Sequence, residues 1–433
     1  MTAEIAILNK NGVALAADSA VTLARPDTQK IYNTANKLFM LSKYHPVGIM
    51  VHGTAELMGI PWETIIKIYR EGLHTRDFEK LVDFASDFLN FLGSNRTLFP
   101  EDVQKARWLA MCSWTLSGIQ TEINESVKAE VTAQGQIDDA KVSRIIGRIV
   151  GQKLGEWNGY PVLDCFPQGF EEELKLKCSA DLDELIDRVF AKLPIAAVRE
   201  DLRQICLLCL AKDFWSDSSG GVVVAGFGKG DILPVVQSYT VQSIVNNQLK
   251  FQHMPAQSND MNESRAASII PFAQGEMVDR FIRGLDPEYR TELKNFIRQL
   301  LMTEYPEKLL QLFEARLSED EKRGTRAELI RLARTVLSEF DSTWSDWERT
   351  KFVNPVLDVV GDLPKDELAA MAESLVNLTS FKRRITAEAE TVGGPIDVAV
   401  ISKGDGFVWI KRKHYFEKDL NPAFFANYYR RYE

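Results

Sequence analysis

Cysteine is scarce: five residues, Cys112, Cys165, Cys178, Cys206 and Cys209, are scattered through 433. A sparse, odd-numbered set supplies no disulfide framework and suits a reducing compartment, so a cytoplasmic location is expected. Cys206-Leu207-Leu208-Cys209 has a CxxC spacing. It falls inside the apolar, helix-like run 205–212 and has no second ligand pair, so it reads as core packing, with no metal or cofactor expected. Long apolar runs are missing too. None approaches the ~20 residues needed to cross a bilayer, and no signal peptide precedes the first predicted strand, so no membrane partner is expected. The Asn95-Arg96-Thr97 and Asn262-Glu263-Ser264 sequons carry no meaning without secretion.

There is no basic stripe, and the net charge is −9, which argues against a nucleic-acid partner. Gly226-Phe227-Gly228-Lys229-Gly230 lacks the remaining elements of a phosphate loop and reads as a hairpin turn. No internal repeat or low-complexity linker divides the chain. With 45% hydrophobic and 26% charged residues, the composition supports a sizeable core.

The most informative segment is the N-terminal one. Apolar residues alternate from Ala3 to Leu8, Asn9-Lys10-Asn11-Gly12 forms a turn, and Val13–Ala17 is almost entirely apolar. This pattern predicts a β-hairpin of two core strands. A sheet that begins at residue 2 leaves no room for a flexible leader. Residue 2 is threonine, and initiator methionine is normally removed before a small residue. Removal of Met1 would give Thr2 a free α-amine beside its own hydroxyl. Such a threonine can act as a nucleophile with its amine, whose ordinary pKa lies near neutrality, as the base. Taken alone, Met-Thr is also a common start with no catalytic meaning.

The surroundings add chemistry. Asp18 ends the second strand, where its carboxylate can sit beneath the start of the first. Lys37 opens a third apolar strand, Leu38–Leu41. A fourth, Val47–His52, breaks at Gly53 into a helix beginning at Thr54. A lysine beside an aspartate and an N-terminal amine can help to activate a hydroxyl. The competing structural reading of Asp18 and Lys37 is a salt bridge.

In this order Thr2, Asp18, Lys37 and the Gly53-Thr54-Ala55 turn resemble proteasome β-subunits and HslV-type peptidases, which are N-terminal-nucleophile hydrolases. The far end of the chain adds to the likeness. Gly393-Gly394-Pro395-Ile396-Asp397-Val398-Ala399-Val400-Ile401, followed by Lys403-Gly404-Asp405-Gly406, is similar to the last hairpin of a proteasome β-subunit. The resemblance implies Thr2 as nucleophile, Asp18 as the family aspartate and Lys37 as the catalytic lysine. Lys37 lies three residues later than usual, through an insertion in the 22–32 loop. The resemblance also implies a backbone N–H near Met50, or Ile49, as the oxyanion donor, where the family has glycine. The supporting shell departs further. Ala273-Gln274-Gly275-Glu276 has no serine, and the Asp and Ser that precede the final Gly-Gly in the family are replaced by Ala389 and Val392, with Glu390 and Thr391 between them.

The expected fold is α+β: a four-layer αββα sandwich, 1–433, with two antiparallel sheets face to face. Two helical insertions enlarge it, 93–218 and 286–363. Helices are predicted over 54–72, 75–92, 100–126, 138–154, 180–193 and 198–214, then over 277–285, 287–305, 306–317, 326–340 and 366–390. Strands are predicted at 220–228, 232–241, 249–253 and 266–271 between these blocks. Short hairpins rather than crossover helices join the strands, which excludes a parallel Rossmann-type sheet.

The expected function is that of a threonine-nucleophile amide hydrolase, foremost a proteasome-like peptidase. It would work on a peptide or protein substrate as a homo-oligomer such as a ring, with an ATP-dependent unfoldase as a candidate partner. Two alternatives stay open: a non-catalytic assembly or binding subunit, and a small-molecule amidase or acylase. The aromatic- and Arg-rich end, 411–417 and 422–432, is an expected subunit contact.

Overall fold

The computed structural model describes residues 2–25, 28–216, 218–261, 266–312, 316–386 and 392–430. Glu390, Thr391 and the Asn262-Glu263-Ser264 sequon lie outside them. The chain forms two compact units, Met1–Ala35 with Asp260–Glu433, and Asn36–Asn259. Both are mixed α+β and built on antiparallel sheets. The strands of the main sheets are β1 (Ala3–Asn9), β2 (Gly12–Ala17), β3 (Leu38–Met40), β4 (Val47–His52), β5 (Gly220–Gly226), β6 (Val235–Val245), β7 (Gln248–His253), β8 (Ala267–Ala273), β9 (Asp397–Ser402) and β10 (Gly406–Lys411).

In the first unit the sheet order is β8-β1-β2-β9-β10. The predicted hairpin closes through Lys10-Asn11, with Asn9 opposite Gly12. The Asn9 side chain accepts the Asn11 N–H at 2.8 Å, the local device that favours asparagine in turns. Ile5, Ile7, Ala14, Ala16, Val398 and Val400 share one face, as the period of two requires. That face packs on Leu368, Ala372, Leu375 and Val376 of helix Lys365–Ile385. The alternate residues of β1 and β2 are buried as well, so neither strand has a solvent face.

The helices between β8 and β9 differ from the expected ones where proline or a cap intervenes. The predicted 287–305 helix runs regularly over Pro287–Gln299 and then widens into a π turn at Leu300–Glu304. Pro306 explains this: it has no N–H to give and its ring crowds the carbonyl one turn back. Pro355 has the same effect on Arg349–Val353. The predicted 326–340 helix is longer, Glu319–Glu348, because Ser318 and Glu321 form a capping box at its start.

In the second unit the main path is β7-β6-β5-β4-β3. One face, through Ile49, Val51, Val222, Val224 and Val241, packs on Ile65, Tyr69, Phe84 and Phe88 of helices Trp62–Leu73 and Leu81–Ser94. The helix expected to begin at Thr54 begins at Trp62. Before it, Glu56–Leu57 and Ile60–Pro61 form a small hairpin around Met58 and Gly59, both with positive φ (51° and 86°). Likewise the 22–32 loop is a hairpin, Val21–Arg25 paired with Thr28–Tyr32.

Between β4 and β5 the predicted helical block is present as Glu101–Gln134, Asp139–Gly159, Phe170–Val189 and Arg199–Ala211. The third of these starts ten residues before the expected 180. Gly169 turns the chain at φ 85°, and Glu171, Glu172 and Glu173 fill the first turn, where acidic side chains suit the helix dipole. Cys206 and Cys209 lie on the last helix, buried among Leu202, Ile205 and Leu210, and Cys112 and Cys178 join the same core. Among the described residues no group of three His, Cys, Asp or Glu could hold a metal ion. No described helix is long and apolar enough to cross a membrane.

Candidate active site

Thr2 and Asp18 meet at one end of the β1–β2 hairpin. The pairing ends with Glu4 opposite Ala17, so the residues just beyond it are brought side by side. The Ala3 N–H donates to Asp18 Oδ1 at 3.1 Å, and the Asp18 N–H donates to the Ala3 carbonyl at 3.1 Å. Asp18 Oδ2 accepts two more amides, from Ala20 at 3.2 Å and Gly393 at 3.0 Å. The carboxylate is fully buried. Among the described residues it accepts three backbone N–H groups, and hydrogen bonds to a carboxylate are stronger than neutral ones.

Thr2 is 5% exposed, and its Oγ1 is buried without a hydrogen-bond partner among the described residues. Its carbonyl is fixed by the Gln274 N–H at 3.2 Å. Ala273, opposite Ala3 in the sheet, takes a positive φ of 62°, a costly conformation for a residue with a Cβ. The Gln274 side chain accepts Arg383 Nε at 2.9 Å, and Arg383 Nη2 donates to Glu276 at 2.8 Å.

The glycines of the C-terminal motif have a steric reason. Gly394 has φ 77°, and a Cβ there would lie 2.7 Å from Asn33 Cβ and 2.9 Å from the Asn33 carbonyl oxygen. Ser19 completes the junction through its N–H, which donates to the Gly393 carbonyl at 3.1 Å, and its hydroxyl, which donates to the Pro395 carbonyl.

Lys37 and Met50 belong to the other unit and are neighbours there. Leu38 pairs with Met50, and the Val51 N–H donates to the Lys37 carbonyl at 2.9 Å. Lys37 is 4% exposed and Met50 is fully buried. Because alternate amides of an antiparallel strand face opposite neighbours, the Met50 N–H is directed to the β5 side, where Met50 pairs with Val223. The first amide beyond the strand on the Lys37 side is that of Gly53, at φ 83°, and it donates no hydrogen bond among the described residues.

His52 joins this group and was not singled out in the sequence. Burial, and then the Lys37 charge, hold its imidazole down to about 4, so it is neutral at physiological pH. Its ring lies over Gly221, where a Cβ would come within 1.9 Å of His52 Nε2. The Gly220-Gly221 pair opening β5 was the available signal, since a glycine within a strand marks a close approach.

No protein-family model matches the sequence, and no curated protein sequence does.

Proposed function

We propose that the chain is an N-terminal-nucleophile amide hydrolase, foremost a proteasome-like peptidase, with Thr2 as nucleophile once it becomes the first residue. The observation that carries this reading is the junction at Asp18. One carboxylate binds the backbone of Ala3 and of Gly393, the two terminal segments on which the family resemblance rests. Thr2 Oγ1 accepts and donates no hydrogen bond among the described residues, so its hydroxyl is not committed to a structural contact.

In this mechanism the Thr2 oxygen attacks the substrate carbonyl carbon and its proton passes to the Thr2 α-amine. The amine returns that proton to the leaving nitrogen as the C–N bond breaks. Water then hydrolyses the resulting ester and restores the hydroxyl. Lys37 supports the proton transfer, and Asp18 holds the threonine end of β1. The oxyanion donor is assigned to the Gly53 N–H in preference to that of Met50, which faces a strand neighbour. The finer fold reading belongs to the same proposal: a four-layer αββα sandwich. So do the insertions 93–218 and 286–363, homo-oligomeric assembly, an unfoldase partner and a cytoplasmic location.

One observation favours the non-catalytic alternative: the Gln274–Arg383–Glu276 network stands where the family has its serine shell. A peptidyl epoxyketone separates the two readings, because it forms a ring adduct with an N-terminal threonine through both hydroxyl and amine. A single adduct mapped to Thr2 supports catalysis. A chain with an unblocked Thr2 that takes up no reagent supports the assembly role.

A further inference from the structure

The unit Asn36–Asn259 contains a cavity of about 260 Å³ set against helix Glu101–Gln134. Arg107, Met111, Trp114 and Thr115, at positions i, i+4, i+7 and i+8, reach it from one side of that helix, and Phe214 and Gln242 close it. Half of its ten lining residues are apolar, and of the polar ones Arg107 and Gln242 carry groups without partners. Gln242 is 1% exposed, and its Nε2 donates to Ser216 Oγ at 2.6 Å. That bond leaves Oε1 buried without a partner. Arg107 has its Nε buried and unpartnered, and its guanidinium makes no ion pair among the described residues. A buried acceptor from the strand and, from the helix, a cation with no ion pair among the described residues both gain from a bound ligand that supplies their partners.

We infer that this cavity binds a small carboxylic acid with an aromatic body and an N–H beside the carboxylate, the chemistry of an N-acylated aromatic amino acid. Arg107 takes the carboxylate, Gln242 Oε1 accepts the N–H, and Met111, Trp114 and Phe214 pack on the ring. Size agrees: a cavity of about 150 Å³ holds benzene, so this one has room for a ring and an amide. Trp114, at 63% exposure, stands as a side chain that a ligand would cover. The inference uses none of Thr2, Asp18 or Lys37 and stands apart from the hydrolase reading.

Calorimetric titration of the full chain with N-acetyl-L-phenylalanine tests it, alongside its methyl ester, which lacks the charge, and 3-phenylpropanoic acid, which lacks the N–H. The expected result is saturable one-to-one binding of the first compound, with each of the others weaker by about tenfold, the scale of one charge-assisted hydrogen bond. Arg107→Gln should abolish the advantage of acid over ester. The three-compound series on the unaltered chain decides the matter if that variant does not fold. Absence of saturable binding into the millimolar range, or equal binding of all three compounds, would overturn the inference.

Discussion

The Gly393 N–H donates to Asp18 Oδ2 at 3.0 Å across a sequence separation of 375. Asp18 thereby joins the end of β2 to the turn that leads into β9, while its other oxygen holds the first amide of β1. Replacing the carboxylate by an amide sets an NH2 group against backbone donors and removes the charge from three hydrogen bonds. Asp18→Asn should therefore cost about 2–4 kcal/mol, read as a fall in the urea midpoint. It should also slow epoxyketone labelling. An unchanged midpoint would show that the carboxylate is dispensable to the junction.

Lys37 gives a rate prediction. Lys37→Ala should abolish hydrolysis, and Lys37→Arg should not restore it, because arginine stays protonated and carries a broader head group. If Lys37 serves only as a structural ion-pair partner, both variants will lose stability before they lose rate. Comparing turnover with melting temperature in the same preparations distinguishes the two.

His52 gives a pH prediction. In the unfolded chain it takes up a proton near its ordinary value of 6.5, whereas in the fold it does so only at about 4. The unfolded state therefore binds more protons between these values, and stability falls as pH drops through that window. The full difference is about 3 kcal/mol. Denaturation from neutral pH down to about 5 should show the decline, and His52→Asn should flatten it. An identical pH dependence in that variant would assign the decline to other groups.

What could be read from the sequence follows from where each signal resides. The β1–β2 hairpin was legible because two short apolar runs and the Asn-rich turn between them are local. The Asp397–Ser402 strand was expected only from the likeness of 393–406 to a proteasome hairpin, and β10 begins at the glycine of that turn. Helix ends were not legible from apolar spacing alone: the Ser318–Glu321 capping box moves one start to Glu319, and a π turn ends the regular part of another helix at Gln299. The hairpin around Met58-Gly59 was missed because its strands are two residues each, too short for periodicity to register. His52 and the direction of the Met50 amide were not legible. Both depend on which strand lies alongside β4, and that partner, β5, comes some 170 residues later.

The C-terminal segment gives an assembly prediction. Phe416, Phe424 and Phe425 form a local aromatic cluster, with rings 5.0 Å apart for Phe416–Phe424 and 5.3 Å for Phe424–Phe425. Tyr415 and Leu420 remain 91% and 79% exposed. Exposed aromatic anchors of this kind suit a subunit contact. Deleting residues 421–433 should shift the particle to a smaller mass by light scattering while circular dichroism is retained. An unchanged particle mass would mean that the segment serves its own subunit.

The most direct test of the central claim is hydrolysis of a fluorogenic peptide series by chains whose first residue has been verified by mass. Thr2→Ser should keep part of the turnover. Thr2→Ala should lose all of it with a melting temperature close to that of the parent, because one terminal hydroxyl contributes little to packing. Parent-level turnover by Thr2→Ala would contradict the threonine mechanism.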